Sequence, residues 1–272
     1  MVGAVTMQSS SSVASGSVIS ESPIAGTSVS TGSAVNLVVS SGTAQVSVPG
    51  VVGDTQAAAI AAITGAGLVA GTVTTASSTT VPPGDVISES PIAGTSVSLG
   101  SAVNLVVSAS SATYTGLDTT TQGTWTGIYG ADGYMIANDA TSPPAYATVS
   151  LTGDSLYTWA ASTTSASALQ VSSGSSTRIA STYYSVTGFT INVNLTDGNT
   201  HRIALYLLDW DSTARSETIS IVDAVSNAVL FTGPFSSFHN GAYAVWSVRG
   251  HVLIQITKTA GANAVVSGAF FN

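Results

Sequence analysis

A near-perfect internal duplication constrains the fold of this chain more than any other feature of its sequence. Residues 18–40 read VISESPIAGTSVSTGSAVNLVVS, and residues 86–108 repeat them 68 positions later with one difference, Thr31 against Leu99. Two copies this similar do not arise by chance, so the N-terminal part of the chain is a repeat array. The second copy completes a whole unit, whereas the first copy lacks the first half of one.

The sequence of the complete unit predicts its order of secondary-structure elements. A short apolar entry, VPGVVGD, ends at a potential helix N-cap, Asp54. The Ala-rich segment 55–64 predicts a short helix with Ile60 and Ile63 on one face. Strand patterns follow at residues 68–75, 86–88 and 102–107. We therefore expect one helix packed on a small sheet, with a turn at Ser90-Pro91.

These motifs closely resemble a PASTA domain over about residues 23–108. The VPxVxG opening, the small helix, the S-P-x-A-G turn and the closing V-x-L-x-V-S strand all match. PASTA domains lie outside the cell membrane on penicillin-binding proteins, Ser/Thr kinases and secreted proteins. Some bind muropeptides and many are spacers. The resemblance implies a bacterial protein that is secreted or on the cell surface, near the cell wall, and the lack of aromatic and basic residues in the unit favours a spacer.

Side chains that carry chemistry are concentrated after residue 113. All four Trp, all nine Tyr, all five basic residues and all three His lie there. The chain is therefore expected to divide into four parts. These are a partial PASTA-like repeat at 1–45, a complete repeat at 46–108, a linker at 109–113 and a separate domain at 114–272.

The C-terminal domain has the sequence pattern of a β protein. Phe189, Ile191, Val193 and Leu195 alternate with polar residues and so share one face of a strand. Roughly nine short strands, including one near 123–129, are separated by turns about every 8–12 residues. The predicted fold class is mainly β: small α+β repeats followed by an antiparallel β-sandwich or jelly roll.

This domain is also similar to galactose-binding-like and carbohydrate-binding jelly rolls. The similarity lies in residues 202–211 (RIALYLLDWD), 220–224 (SIVDA) and 263–271 (NAVVSGAFF). Such domains often bind sugars at the loops of one edge and often hold a structural calcium ion. The resemblance therefore implies a polysaccharide or cell-wall glycan as partner.

Charge and composition exclude several other functions. The net charge is −8 with five Lys and Arg, so nucleic acid and anionic membranes are unfavourable partners. The absence of cysteine excludes disulfides, zinc–thiolate sites and thiol catalysis. The sequence contains no apolar stretch long enough for a membrane helix. Residues 1–15 lack a signal-peptide pattern, and the partial first repeat suggests a natural start further upstream.

Four aromatic residues are the candidates for sugar binding. Trp125, Tyr129 and Tyr134 flank glycine-rich loops, and Trp210 lies at a strand end. A flat ring matches the apolar face of a sugar, so we expect these side chains to form an exposed platform. Other aromatic residues are expected in the core, among them Trp159 and Trp246.

Asp209 and Asp211 are the candidate catalytic residues if the protein is an enzyme. Both follow the strand at 203–208. If its alternation continued, they would lie on the same face as the apolar residues of that strand, where an unpaired carboxylate would be unfavourable. They are expected to pair with Arg215, Arg178 or a cation, or to accept loop hydrogen bonds. Two carboxylates at i and i+2 also suit a glycoside hydrolase.

Asp132 and Asp139, with Asn138 between them, are the candidate calcium ligands. Oxygen ligands on one loop suit calcium, although turn formation explains the same residues. No other cofactor is expected. The leading functional hypothesis is a non-catalytic carbohydrate-binding or adhesion module held on PASTA spacers. A glycoside hydrolase and a structural cell-surface assembly protein are the alternatives.

Overall fold

The computed structural model describes residues 1–78, 80–174 and 176–272, which form 23 strands and one α-helix. The mainly β class is therefore confirmed. The chain divides into two compact units, Met1–Thr74 with Val86–Val106 and Thr75–Asp85 with Val107–Asn272. Within the described residues, no helix has both the length and the apolar character needed to cross a bilayer.

The first unit holds most of both repeats, and the two repeats use the same strand order. Its elements, the last residues of β5 and β8 lying in the second unit, are β1 (Val2–Gln8), β2 (Val18–Ser22), β3 (Val35–Ser40), β4 (Gln45–Ser47), α1 (Gln56–Gly65), β5 (Val69–Ala76), β6 (Val86–Ser90), β7 (Ser96–Ser98) and β8 (Ala102–Ser108). One sheet has the order β1-β3-β2 and its counterpart has the order β5-β8-β6. The short strands β4 and β7 pair with each other.

The predicted helix is present and begins one residue later than expected. Thr55, not Asp54, is the N-cap: it has an extended backbone, and its side-chain oxygen accepts a hydrogen bond from the Ala58 N–H at 3.3 Å. That contact satisfies one of the free N–H groups of the first turn. Ala59 and Ile63 are fully buried, so the helix contributes to the core of the complete repeat.

The second unit is a β-sandwich with additional strands. Its elements are β9 (Ser111–Asp118), β10 (Gly133–Ile136), β11 (Thr141–Ser142), β12 (Ala147–Thr152), β13 (Ser155–Thr163), β14 (Leu169–Gln170), β15 (Arg178–Ser185), β16 (Gly188–Leu195), β17 (Thr200–Leu207), β18 (Ser216–Asp223), β19 (Val229–Ser236), β20 (Ala242–Arg249), β21 (His251–Ala260), β22 (Ala264–Val266) and β23 (Gly268–Phe271).

Two of the expected boundaries in this region differ from the structure. Residues 111–113 belong to β9 and pair with β20, so the expected linker is shorter than 109–113. The strand expected near 123–129 is a turn, in which the Ile128 and Tyr129 N–H groups both donate to the Trp125 carbonyl. Gly127 and Gly130 have positive φ, which favours turns over strands.

Two antiparallel sheets face each other across the main core. One has the order β11-β10-β23-β17-β20-β9 and the other β12-β16-β21-β18-β19. Apolar residues from both inner faces form one buried cluster, for example Leu205 and Trp246 from one sheet and Ile219 and Ile254 from the other. The antiparallel sandwich predicted from the alternating pattern is thus observed, whereas its assignment to the jelly-roll class stays a prediction.

A smaller sheet covers the other face of the six-stranded sheet at one end. It has the order β13-β15-β14, with β22 paired to β15. β17 consequently has apolar neighbours on both sides: Leu205 lies in the main core, and Tyr206 lies in a second cluster with Leu169 and Ile179. Burial on both faces explains why residues 203–208 are apolar without alternation.

Candidate functional site

A pocket of about 280 Å³ opens on the second unit beside Trp159. Its aromatic and polar side chains come from the strand pair β13–β15 and from two chain segments that approach it. We call it the Trp159 pocket, and the residues that line it are Tyr157, Trp159, Thr182, Tyr184, Asp211, Arg215, Ala262 and Asn263.

Three aromatic side chains form one wall of the Trp159 pocket. Tyr157 and Trp159 are two residues apart on β13, and Tyr184 lies on the neighbouring strand β15. The Tyr157 ring is 6.0 Å from the Trp159 ring and 6.3 Å from the Tyr184 ring, nearly perpendicular to both. Tyr157 is 52% exposed, while Trp159 and Tyr184 are partly buried. The wall therefore presents ring faces and edges to solvent.

Arg215 forms the charged part of the pocket. It is buried, and its guanidinium carbon lies 5.4 Å from the centre of the Trp159 ring. Its Nε donates to Asn263 Oδ1 at 2.7 Å, and its Nη1 donates to carboxylate oxygens of Asp209 and Asp211. Burial lowers the pKa of Arg215, but these two carboxylates outweigh that effect and raise it. The guanidinium therefore stays charged and fixed in place.

Asp209 and Asp211 both pair with Arg215, one of the partners expected for them. Asp209 is buried, and its carboxylate also accepts hydrogen bonds from Ser212 Oγ at 2.9 and 3.0 Å and from the Arg215 N–H at 3.0 Å. Asp211 is exposed. Partial desolvation raises its pKa, but hydrogen bonds and the charge of Arg215 outweigh this and keep it below the usual range. Arg215 thus binds both groups, and the lowered pKa of Asp211 means that it is not a proton donor at neutral pH.

Glu217 is a buried acid that the sequence analysis did not single out. It is fully buried, its Oε2 accepts the Val265 N–H at 2.9 Å, and Oε1 has no hydrogen-bond partner among the described residues. Desolvation raises its pKa to about 8, against the opposing effects of the Val265 N–H and Arg215. The sequence contains a sign of this burial, because Glu217 lies on the same face of β18 as the core residues Ile219 and Ile221.

The expected aromatic platform of Trp125, Tyr129, Tyr134 and Trp210 does not form. Trp125 and Tyr129 are each only 6% exposed, and Tyr134 and Trp210 are partly buried against the same cluster. The Trp125 indole N–H donates to the Gln170 carbonyl at 2.8 Å, and the Tyr129 ring stacks on Tyr243 at 4.2 Å. The turn between Gly123 and Gly130 directs these rings inward, so the expectation of exposure is wrong.

Tyr129 nevertheless lines a second cavity of about 400 Å³, with Leu117, Val245, Asp118 and Arg202 among its other residues. The carboxylate that lines this cavity, that of Asp118, already has hydrogen-bond partners within the protein. Asp118 accepts hydrogen bonds from Thr120, Thr121 and the Tyr129 hydroxyl. Arg202 lies over the Tyr129 ring at 5.2 Å. The Tyr129 ring is thus covered by internal contacts, whereas the Tyr157 ring of the Trp159 pocket belongs to a side chain that is 52% exposed.

The expected calcium ligands are engaged separately. Asp132 accepts a hydrogen bond from the Tyr146 hydroxyl at 2.8 Å, and Asp139 accepts the Ser172 N–H at 2.7 Å. In the part of the chain that the structure describes, no three His, Cys, Asp or Glu side chains group together as metal ligands would. Asn138 adopts φ 54°, as turn residues do. Their hydrogen bonds agree with turn formation, and a calcium ion at this loop stays a prediction.

Comparisons with known proteins identify the N-terminal part of the chain. The PASTA domain family matches residues 2–41 and 46–109. A probable serine/threonine-protein kinase of Corynebacterium efficiens is 40% identical over 105 residues, which are 38% of this chain and 16% of that protein. The N-terminal part of the chain thus consists of PASTA domains, as the repeat motifs indicated. The chain spans about a sixth of the length of this curated relative.

Two solved structures from Staphylococcus aureus also match the chain, one over less than half of it and one over nearly all of it. The three-PASTA-domain structure of a Ser/Thr kinase has 18% identity and a TM-score of 0.35, covering 43% of this chain and 58% of that one. The entire extracellular region of the Ser/Thr kinase PrkC has 13% identity and a TM-score of 0.22, covering 98% and 91%. The PASTA family match ends at residue 109, so the function of the sandwich has to be argued from its own residues.

Proposed function

We propose that this chain is a non-catalytic glycan-binding protein that acts outside the cytoplasm, with its sandwich unit binding a neutral polysaccharide in the Trp159 pocket. The observation that carries the proposal is the composition of that pocket. Tyr157, Trp159 and Tyr184 supply ring surfaces for the apolar faces of sugar rings. Asp211 and Asn263 supply hydrogen-bonding atoms for hydroxyl groups beside them.

The charge of the pocket favours a neutral ligand. Two carboxyl groups, those of Asp209 and Asp211, share a single guanidinium, that of Arg215. Glu217, with a pKa of about 8, is mostly protonated at neutral pH. The cluster therefore carries about one net negative charge, which would repel uronic acids and other anionic sugars. The net charge of −8 for the whole chain acts in the same direction.

The PASTA repeats are proposed to be spacers located outside the cell membrane. Their family match and the kinase relative support that location. Residues 1–113 contain no Lys, Arg, Trp, Tyr or Phe, so they offer neither a cation nor a ring to an anionic cell-wall fragment. Binding of muropeptides by the repeats is the second possibility, suggested by the family alone.

The arrangement of carboxylates supports binding over hydrolysis. A glycosidase needs one protonated carboxylic acid and one free carboxylate on either side of the scissile bond. Here Asp209 and Asp211 bind the same guanidinium, and the acid with a raised pKa, Glu217, is fully buried. None of the three provides an exposed proton donor. A purely structural role would leave the Trp159 pocket without a ligand.

A binding experiment with two matched variants tests the proposal. The full chain would be screened on an array of neutral and anionic glycans, and the best ligand then titrated by calorimetry. Tyr157→Ala removes the most exposed ring and is expected to weaken binding about tenfold or more, the loss typical of a central contact residue. Leu156→Ala is the control, because Leu156 is the neighbouring residue on β13 and is 51% exposed.

The outcomes separate the three functions. Loss of binding in Tyr157→Ala with normal binding in Leu156→Ala supports the proposal. Equal affinities for the two variants would place the ligand elsewhere, and binding of muropeptides alone, unaffected by Tyr157→Ala, would assign binding to the repeats. Release of reducing sugar by the unmodified chain would establish a hydrolase. Absence of any glycan binding, combined with self-association, would favour the structural role.

A further inference from the structure

The cavity of about 400 Å³ on the sandwich lies beside a β-bulge in the edge strand β9. The partners of Val245 and Trp246 on β9 are not consecutive residues, so Thr115 is an extra residue between them. The next residue, Gly116, has φ 145°, a conformation that favours glycine. No described atom beyond its chain neighbours lies within 4 Å of the position that a Cβ would take. The missing side chain thus leaves open space beside Val245. We call this space the Arg202 cavity, and its other walls are formed by Leu117, Asp118, Tyr129 and Arg202.

Internal contacts fix the Tyr129 and Arg202 side chains in the wall of the Arg202 cavity. The Tyr129 hydroxyl donates to Asp118 Oδ2 at 2.9 Å, and its ring stacks on Tyr243 at 4.2 Å. The Arg202 guanidinium lies over the Tyr129 ring at 5.2 Å, and its Nη2 donates to the Ile128 carbonyl at 2.8 Å. Because these side chains are already ordered, a ligand binds them at a smaller cost in conformational entropy.

The two charged groups of the cavity differ in the hydrogen bonds that they can still form. Asp118 accepts bonds from the N–H and hydroxyl groups of Thr120 and Thr121 and from the Tyr129 hydroxyl, which fills the capacity of a carboxylate. Desolvation raises the pKa of Asp118, but these hydrogen bonds outweigh it and keep the pKa below its usual range. Within the described residues, the Arg202 side chain forms one hydrogen bond. The guanidinium therefore has N–H groups left for a ligand.

We infer that the Arg202 cavity binds a small organic monocarboxylate, with its carboxylate on Arg202 and its apolar part against Leu117 and Val245. A guanidinium matches a carboxylate through two parallel hydrogen bonds. One cation lines the cavity, and the charge of Asp118 would repel a second negative charge, so a singly charged ligand fits better than a dianion. The volume of about 400 Å³ lies in the range of small-molecule sites.

This ligand differs in charge from the glycan proposed for the Trp159 pocket. In that pocket two carboxyl groups share one guanidinium, whereas Arg202 forms no ion pair within the described residues. The net charge of −8 repels an anion at long range, so short-range contacts have to supply the affinity, which we expect to be modest. The inference does not depend on the function proposed for the Trp159 pocket.

Titration with simple monocarboxylates tests the inference. Phenylacetate, cyclohexylacetate and hexanoate would each be titrated into the full chain, followed by ligand-observed NMR, at concentrations up to about 10 mM. We expect saturable binding of at least one probe. Arg202→Gln should weaken it about tenfold or more, the loss typical of hydrogen bonds to a charged group. Lys258→Gln is the matched control, because it changes the net charge equally but lies on β21 in the other sheet.

A neutral analogue and two further variants assign the binding to this cavity. The amide of the bound probe should bind at least about tenfold more weakly, because it lacks the charge. Leu117→Ala shortens an apolar wall and should weaken the carboxylate about threefold, whereas Tyr157→Ala, in the Trp159 pocket, should leave its affinity unchanged. Absence of saturable binding for all three probes overturns the inference. Equal affinities of Arg202→Gln and Lys258→Gln, or of amide and carboxylate, also overturn it, because Arg202 would then not recognise the charge of the ligand.

Discussion

The guanidinium of Arg215 lies 5.4 Å from the centre of the Trp159 ring while its nitrogen atoms bind Asp209, Asp211 and Asn263. The buried guanidinium of Arg215 thus packs on one ring of the aromatic wall and neutralises part of the negative charge of two carboxylates. The sandwich holds this arrangement at the place where β13, the 209–215 loop and the segment before β22 meet. Consequences for stability, pH dependence and ligand binding follow from it.

Removal of the guanidinium should destabilise the sandwich strongly. Arg215→Met leaves Asp209 buried and unpaired, which is expected to lower the free energy of unfolding by about 3–5 kcal/mol. Chemical denaturation followed by tryptophan fluorescence measures the change. Arg202→Met is the control, because Arg202 is exposed and forms no ion pair within the described residues. Equal effects of both substitutions would contradict the role assigned to Arg215.

Glu217 should make the sandwich less stable as the pH rises. Its pKa is about 8 in the folded protein and 4.5 without burial. Between these values the folded state keeps a proton that the unfolded state releases. The stability that Glu217 contributes is therefore fully present below about pH 4.5 and decreases as the pH rises from there to about 8. The free energy of unfolding falls by at most about 1.4 kcal/mol per pH unit in this range. Glu217→Gln should remove this slope in unfolding experiments at pH 5, 6, 7 and 8. Parallel profiles for both proteins would show that Glu217 does not bind the proton.

Asp211 should affect ligand binding more than stability. Its carboxylate is exposed, and Arg215 keeps a second partner in Asp209, so Asp211→Asn is expected to change the unfolding free energy by less than about 1 kcal/mol. The affinity for a neutral glycan should fall about threefold to tenfold, because an amide replaces one acceptor oxygen. Calorimetric titration measures this loss. A hydrolase would instead lose release of reducing sugar in the same variant, and the unmodified chain is expected to release none.

The two PASTA repeats should respond differently to the same substitution. Val86→Asp places a charge at a fully buried position and is expected to destabilise its repeat by more than about 3 kcal/mol, whereas Val18→Asp should cost less than about 1 kcal/mol. Hydrogen exchange of the amides of α1 reports on the first variant, and exchange of β3 on the second. Similar losses of protection would mean that Val18 is covered in solution.

The fold was largely predictable because its signals are local or repeated. The duplication identified the repeats, the alternation at 189–195 identified a strand that is present as β16, and Trp246 is in the core as expected. The site was less predictable. Glycine-rich neighbours suggested that Trp125 and Tyr129 would be exposed, but the turn places both inside. Trp159 was expected in the core, and it does pack against both buried clusters, but it also lines a pocket that the sequence did not indicate.

The sequence by itself determined several of the long strands, where α1 lies, and that two PASTA repeats precede a sandwich, because periodicity, turn residues and internal repetition act over short distances. Only the tertiary structure decided which side chains are covered. Residues 28–30 and 96–98 share the sequence Ser-Val-Ser, yet only the second forms a strand, because β4 lies beside it. The Trp159 pocket shows the same dependence, because it is lined by residues that are far apart in the sequence, Tyr157, Arg215 and Asn263. Burial and strand pairing depend on neighbours that are distant in the sequence, and only the tertiary structure brings these neighbours together.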